Sequence, residues 1–223
     1  MLAQAQSDAA AASNTINQTS SLAQAGNVEA QFQLAKRYDT GQGIAQSDKQ
    51  ALFWYRKAAE QNHSMAQNNL GMMYAAGQGV AQDYAQAVYW FRKAAEQGNA
   101  LAQNNLGVMY KDGTGVAQDY GQALFWYRKA EQQGNALAQT NLGVAYAQGY
   151  GVAPDIEKAV YWYRKAAAQN VPRAQYNLGV SYENGQGVPQ DTQQAIALYR
   201  KAAAQNDDPQ ARQAAQERLS QLQ

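Results

Sequence analysis

The sequence predicts an all-α fold, a right-handed superhelical solenoid of antiparallel helix pairs built from five 36-residue repeats and capping helices. Three observations lead to this prediction: a motif that returns at a constant interval, helical periodicity in both halves of each copy, and residues typical of helix ends between the halves. The right-handed sense follows by analogy with other repeats of helical pairs.

The repeat is visible in a segment that begins with leucine and ends in a glycine-rich turn. LGMMYAAGQGV at Leu70 returns as LGVMYKDGTGV at Leu106, LGVAYAQGYGV at Leu142 and LGVSYENGQGV at Leu178, with the variant LAKRYDTGQGI at Leu34. We divide the chain into an N-terminal segment with a partial capping helix (1–25), five repeats (26–206) and a C-terminal capping helix (207–223). The approximate repeat limits are 27–62, 63–98, 99–134, 135–170 and 171–206.

The first half of each repeat has the spacing of a helix with one apolar stripe. In the second copy, Ala66, Leu70, Gly71 and Tyr74 fall at i, i+4, i+5 and i+8. Glycine inside a helix costs about 1 kcal/mol relative to alanine, so Gly71 needs a packing reason. We expect a close approach of two helices there.

The second half repeats the pattern with aromatic residues. Ala87, Trp90, Phe91 and Ala94 fall at i, i+3, i+4 and i+7, and four copies carry a tryptophan followed by tyrosine or phenylalanine. We interpret these rings as packing between helices rather than as a stacking platform for a ligand.

The residues between the halves are typical of helix ends. Gly77 recurs in every copy, where a left-handed residue would close the first helix. Asp83 then suits the start of the second helix, and Gln86 three residues later predicts a capping box. We therefore interpret Gly77 and Gly79 as a helix end and a turn. A phosphate loop would need a different glycine spacing with lysine, or a preceding strand.

The chain contains few of the residue types that usually act in catalysis. The chain has no cysteine and one histidine, His63, which occupies a slot held by asparagine in other copies, so we expect it to cap a helix. The recurring aspartates stand one per repeat at helix starts, which indicates caps rather than a carboxylate pair. We predict no catalytic residue, no metal site and no cofactor.

Each second helix carries an Arg-Lys pair, such as Arg56–Lys57. The pairs could form a basic ladder for an anionic polymer, or a solvated face whose charges favour the carboxyl end of a helix dipole. The net charge of +1 favours the second interpretation, and we expect no nucleic acid partner.

No stretch is long and apolar enough to predict membrane insertion, and we expect a monomer. The first residues lack a basic region followed by an apolar core, so we see no intact signal peptide. The compartment is left open, and removal of a signal peptide would place the protein in the periplasm or outside the cell.

The pattern A-x-x-x-LG-x-x-Y-x-x-G-x-GV followed by D-x-x-x-A-x-x-W-[YF]-RKAA resembles the Sel-one-like repeat family, a relative of the tetratricopeptide repeats. The resemblance covers about Gly26 to Asn206. It implies an adaptor or scaffold, and bacterial members often act in the cell envelope, in signalling or in host contact. It implies no fixed ligand, and this chain departs from the cysteine-rich secreted branch of the family.

The candidate site lies where the copies differ. The tetratricopeptide resemblance implies that first helices line the concave side, and their positions opposite the apolar stripe vary from copy to copy. This surface is apolar in the middle and charged at both ends, which suits a protein or peptide partner. The predicted partner-binding residues are Met65, Asn68, Met72, Leu101, Asn104, Val108, Lys111, Leu137, Thr140, Val144, Arg173, Tyr176, Val180 and Glu183.

Two alternatives stay open at the sequence level. One is an enzyme or binder acting on cell-wall or β-lactam compounds, which the missing Ser-x-x-Lys signature and missing metal ligands disfavour. The other is a consensus-like engineered array with no natural ligand, which the similarity of the middle copies allows. Glu131 replaces an alanine of the other copies, and we expect it at an interface edge or beside an arginine or lysine.

Overall fold

The computed structural model describes residues 16–222, and all the regular secondary structure within that range is helical. The protein is an all-α repeat solenoid, as predicted from the sequence. The helices are α1 (16–24), α2 (Val28–Thr40), α3 (Asp48–Glu60), α4 (Ser64–Ala76), α5 (Tyr84–Glu96), α6 (Ala100–Asp112), α7 (Tyr120–Glu131), α8 (Ala136–Gln148), α9 (Ile156–Ala168), α10 (Pro172–Asn184), α11 (Thr192–Ala203) and α12 (Pro209–Gln221).

The chain packs as two compact units, Met1–Gln118 (unit 1) and Asp119–Gln223 (unit 2). Among the described residues, unit 1 holds α1 to α6 and unit 2 holds α7 to α12. The five repeats supply α2 to α11, with a first and a second helix each. The predicted N-terminal segment falls only partly within the described residues, since 1–15 lie outside them.

In the second, fourth and fifth repeats a glycine inside the first helix allows close packing of the two helices, whereas the first repeat has Ala35 at this position. A Cβ atom on Gly71 would lie 2.7 Å from Cδ1 of Phe91 on α5 and 3.2 Å from the Ala87 carbonyl oxygen. Gly143 meets Tyr163 on α9 in the same way in unit 2. The glycine therefore lets an aromatic ring of the second helix lie against the backbone of the first.

The aromatic residues of the second helices divide into two roles. The ring that follows each tryptophan, such as Tyr55 or Phe91, is buried. Most of the tryptophans themselves are half-buried, as Trp54 and Trp90 are, although Trp126 is buried. The rings pack between helices, with the tryptophans at the margin of the core.

The helix ends follow the predicted chemistry with one correction. Gly77 closes α4 in the left-handed region at φ 71°, and the Asp83 carboxylate accepts from the Gln86 backbone N–H at 3.0 Å. The capping box is wrong in its second half, because the Asp83 backbone N–H donates to the Tyr74 carbonyl oxygen at 3.0 Å. The loop folds back onto the end of α4 and uses the Asp83 backbone N–H. The Gln86 side chain therefore cannot accept a hydrogen bond from this N–H, as a capping box would require.

Buried glutamines of the first helices add polar links that the apolar pattern did not predict. Gln67 is fully buried, and its Nε2 donates to the Ala59 carbonyl oxygen at 3.0 Å, which ties α4 to the end of α3. Its Oε1 accepts from Gln97 Nε2 at 2.6 Å. The same arrangement recurs at Gln31 and Gln175. Since buried polar groups must be paired, this glutamine fixes how each first helix meets the preceding second helix.

Candidate partner-binding surfaces

The first helices of unit 1 present large apolar side chains to solvent. Met65 and Met72 on α4 and Leu101 on α6 are 51%, 52% and 51% exposed, and Val108 on α6 is half-buried. We call these four residues the unit 1 face. Exposed apolar groups of this size on one type of helix are typical of contact surfaces.

A cavity of about 310 Å³ lies between α4 and α6 above a ring of α5. Two residues of the unit 1 face, Met72 and Val108, belong to its wall. The lining residues, all without formal charge, are Met72, Ala75, Ala76, Phe91, Asn105, Val108 and Met109. This unit 1 cavity suits an apolar group.

Three predicted contact residues are buried, so the structure does not place them at the surface. Asn68, Asn104 and Thr140 lie beneath it. Asn68 Oδ1 accepts from Asn105 Nδ2 at 3.0 Å, because the neighbouring first helix covers this position. The Thr140 hydroxyl donates to the Ala136 carbonyl oxygen of its own helix at 2.9 Å. Their side chains serve packing and internal hydrogen bonds.

Two predicted charged residues of the surface are engaged in ion pairs. Lys111 Nζ lies 2.9 Å from Asp112 Oδ1 at the end of α6. Arg173 Nε lies 3.1 Å from Asp208 Oδ2, which ties the start of α10 to the start of α12. Both side chains remain partly exposed, so these pairs add little stability.

The remaining predicted residues belong to unit 2 and have mixed surroundings. Leu137 on α8 is 50% exposed, and Val144 packs against the core around Tyr163. Tyr176 and Val180 on α10 line a second cavity of about 380 Å³, which we call the unit 2 cavity. Its lining residues are Ala147, Gln148, Ile156, Tyr163, Tyr176, Asn177, Val180, Ser181, Gln186 and Arg218.

Glu183, also predicted as a contact residue, belongs to a polar cluster at the end of α10. Its carboxylate accepts from the Tyr199 hydroxyl and lies 3.5 Å from Arg218 Nη1. Burial raises the pKa of the Tyr199 hydroxyl, so that the proton stays on Tyr199 and is donated. The Arg218 guanidinium donates a hydrogen bond to the Tyr176 hydroxyl, which raises the pKa of Arg218, and the guanidinium stays charged.

The arginines of the Arg-Lys pairs connect successive repeats. Three of the five arginines donate to the hydroxyl of a tyrosine on the next first helix and lie over its ring. The pairs are Arg56–Tyr74 at 2.7 Å, Arg92–Tyr110 at 2.7 Å and Arg164–Tyr182 at 3.1 Å. These contacts give the recurring arginine a structural role. The absence of a nucleic acid partner stays a prediction.

Two residues that depart from the repeat have structural partners. His63 caps α4 as predicted, because its Nδ1 accepts from the Ala66 N–H at 3.1 Å. Glu131 reaches a lysine as predicted, with Lys165 Nζ 2.7 Å from its Oε1. This hydrogen bond raises the pKa of Lys165.

A set of exposed aromatic residues on the second helices was missed by the sequence reasoning. Each packs edge-on against the tryptophan that follows it and lies under the lysine four residues later. They are Phe53, Tyr89, Phe125 and Tyr161. Their recurrence at one position outside the apolar stripe was the available signal.

Within residues 16–222, no three histidine, cysteine, aspartate or glutamate side chains gather as a metal site requires. Over the same range, every helix is too short or too polar to cross a membrane.

Solved structures with similar folds come from several bacteria. A protective antigen of uropathogenic Escherichia coli strains displaying an SLR fold is 39% identical, with a TM-score of 0.80, over 93% of this chain and 43% of that one. This chain thus spans less than half of the antigen. A Sel1 repeat protein from Oxalobacter formigenes is 36% identical, with a TM-score of 0.80, over 87% of this chain and 76% of that one.

A more distant likeness supports the fold alone. An immunity protein from Pseudomonas aeruginosa is 20% identical, with a TM-score of 0.57, over 87% of this chain and 81% of that one. No curated protein sequence matches the chain.

The profile of the Sel1 repeat matches five consecutive segments, 28–63, 64–99, 100–135, 136–171 and 172–207. Sel1 repeats commonly serve as protein–protein interaction modules. With most of its length matched, the chain belongs to the Sel1 repeat family.

Proposed function

We propose that this protein is a non-enzymatic interaction scaffold whose unit 1 face binds an apolar segment of a partner protein, such as one side of an amphipathic helix. The observation that carries the proposal is the pairing of half-exposed Met65, Met72 and Leu101 with an uncharged cavity at Met72 and Val108.

The chemistry of the face favours a peptide over a polar small molecule. The unit 1 cavity has a volume within the range of ligand sites, and Asn105, the one polar side chain in its described lining apart from methionine, already donates to Asn68. Methionine side chains adapt their shape to different apolar partners, which suits Met65 and Met72 to a binding surface. Because the helices beneath are fixed by close packing, the ordering cost on binding falls mainly on the ligand.

Selection of binders from a displayed library of amphipathic peptides tests the proposal. The selected peptides should share an apolar position, and Met72→Glu or Val108→Glu should weaken their binding at least about tenfold, because a charge would be buried against the peptide. Affinities are measured by calorimetry on the purified full chain.

Tyr89→Glu is the matched control, since Tyr89 is exposed to a similar extent on the second helix α5. It should leave affinity unchanged. Peptides that bind Met72→Glu and Val108→Glu as tightly as the unaltered protein would contradict the proposal, and so would a library that yields no binder.

A further inference from the structure

Two repeats place a carboxylate of the first helix against a tyrosine hydroxyl of the second. In the first repeat the Tyr55 hydroxyl donates to Asp39 Oδ2 at 3.1 Å. In the fifth repeat the Tyr199 hydroxyl donates to Glu183 Oε2. Asp39 and Glu183 occupy the same repeat position, as do Tyr55 and Tyr199. Tyrosine and carboxylate are thus a recurring pair in this structure.

The fourth repeat keeps the tyrosine and lacks the carboxylate. Tyr163 stands at the tyrosine position, while Ala147 stands where the acid would be. Tyr163 is 5% exposed, and no described residue hydrogen-bonds to its hydroxyl. Both residues line the unit 2 cavity. Among the described residues, the Tyr163 hydroxyl therefore lacks the acceptor that the first and fifth repeats supply, and Tyr163 lines a cavity at the equivalent place.

The same cavity has a positive charge in its wall. Arg218 lines it, its side chain is 38% exposed, and its Nη1 lies 3.5 Å from Glu183 Oε1. Guanidinium has five N–H donors, so the contacts with Glu183 and Tyr176 leave further donors for an anion. Asn177 and Gln186 add polar side chains to the wall.

The unit 1 cavity supplies an internal comparison. Six of its lining residues are the repeat equivalents of residues in the unit 2 cavity, displaced by two repeats. Ala75 corresponds to Ala147, but Phe91 replaces Tyr163 and carries no hydroxyl. The described lining of the unit 1 cavity also holds no cation. Two cavities of similar construction therefore differ in the hydroxyl and the charge.

We propose that the unit 2 cavity binds a carboxylate group, which accepts a hydrogen bond from the Tyr163 hydroxyl and is attracted by Arg218. The ligand carboxylate takes the place that Asp39 and Glu183 fill in their own repeats. It comes from an acidic side chain of a partner protein or from a small free dicarboxylic acid. The site is separate from the unit 1 face and does not rest on the function proposed for that face.

Titration of the full chain with glutarate, and with a short uncharged peptide carrying one glutamate, tests the site by NMR. At least one probe should shift the resonances of Ala147 and Tyr163, while glutaramide and the glutamine version of the peptide should not. Binding of the peptide alone would assign the carboxylate to a protein partner, and binding of glutarate alone to a small acid. Tyr163→Phe should weaken binding about tenfold or more, because it removes one hydrogen bond to a charged group. Binding by neither probe, or equal binding by Tyr163→Phe, would overturn the proposal.

A second pair of variants supplies the carboxylate within the chain. Ala147→Glu should raise the midpoint of thermal unfolding and abolish binding of either probe, since the new side chain occupies the place of the ligand beside Tyr163. Ala75→Glu is the matched control at the equivalent position of unit 1. It should lower the midpoint, because Phe91 offers no hydroxyl to the buried charge. Equal destabilisation by the two substitutions would show that the unit 2 cavity does not accommodate a carboxylate.

Discussion

At the scale of single residues, glycine sets how closely two neighbouring helices approach each other. Gly71 brings the backbone of α4 against the ring of Phe91, and a methyl group there would lie within 2.7 Å of Cδ1. The Phe91 ring is itself buried, so it has little room to move aside. Glycine lowers helix stability relative to alanine, but the closer packing of the two helices outweighs this cost.

Gly71→Ala should therefore destabilise the protein by about 1–3 kcal/mol through overpacking, although alanine is the better helix former. Gly121→Ala in the first turn of α7 is the control, since the equivalent residue of the second repeat is already Ala85. Its effect should be neutral or slightly stabilising. Denaturant unfolding followed by circular dichroism measures both. A Gly71→Ala variant as stable as the unaltered protein would contradict the close-packing interpretation.

At the scale of elements, one residue connects the end of the first helix to the start of the second. The Asp83 carboxylate caps α5 through the Gln86 N–H, and the Asp83 N–H returns to the Tyr74 carbonyl of α4. The same double connection recurs at Asp155 and Asp191 in unit 2. The loop is thus fixed from both sides, which holds the two helices in a constant relation.

Asp83→Ala should reduce the free energy of unfolding by about 0.5–2 kcal/mol, because only the side-chain half of the connection is lost. Asp83→Asn should retain most of the stability, since the asparagine oxygen also accepts from the N–H of the N3 residue. Thermal unfolding of the three proteins at neutral pH compares them. Equal losses for alanine and asparagine would indicate that the negative charge, rather than the hydrogen bond, matters.

Periodicity predicted the elements well because the five repeats show each position five times. It predicted the site less well because exposure depends on the neighbouring helix. A helical wheel placed Asn68 on an outer face, but α6 covers it and Asn105 binds it. The buried Gln67 was overlooked because its partners, Ala59 and Gln97, lie on other elements. Contacts between repeats are set by three-dimensional stacking, which a single wheel does not contain.

At the scale of the whole molecule, a repeat contributes surface that only its neighbours can cover. In the described residues these links include apolar contacts, buried glutamines, and arginines such as Arg92 that bind a tyrosine of the next repeat. The cavities belong to this scale too, since each needs residues of adjacent repeats. The sequence showed alanine at Ala75 and Ala147, but a short side chain predicts a cavity only once its neighbours are placed.

In such an array, releasing the terminal helix from its neighbour should lower stability only near that end. In unit 2, α12 covers α11 through Ala215, which is fully buried beside Tyr199 and Ala202. Ala215→Glu places an unpaired carboxylate in this contact and should release α12. Gln216→Glu adds the same charge at the next, exposed position and should have almost no effect.

Hydrogen exchange of the backbone amides measures where protection is lost. For Ala215→Glu, we expect faster exchange in α12 and α11 and unchanged exchange in α4, because nearest-neighbour contacts carry the stability of a repeat array. A uniform increase in exchange across all helices would instead mean that the chain unfolds as one cooperative unit. In that case α12 would stabilise the distant repeats as strongly as the one it touches, and the nearest-neighbour account of this fold would fail.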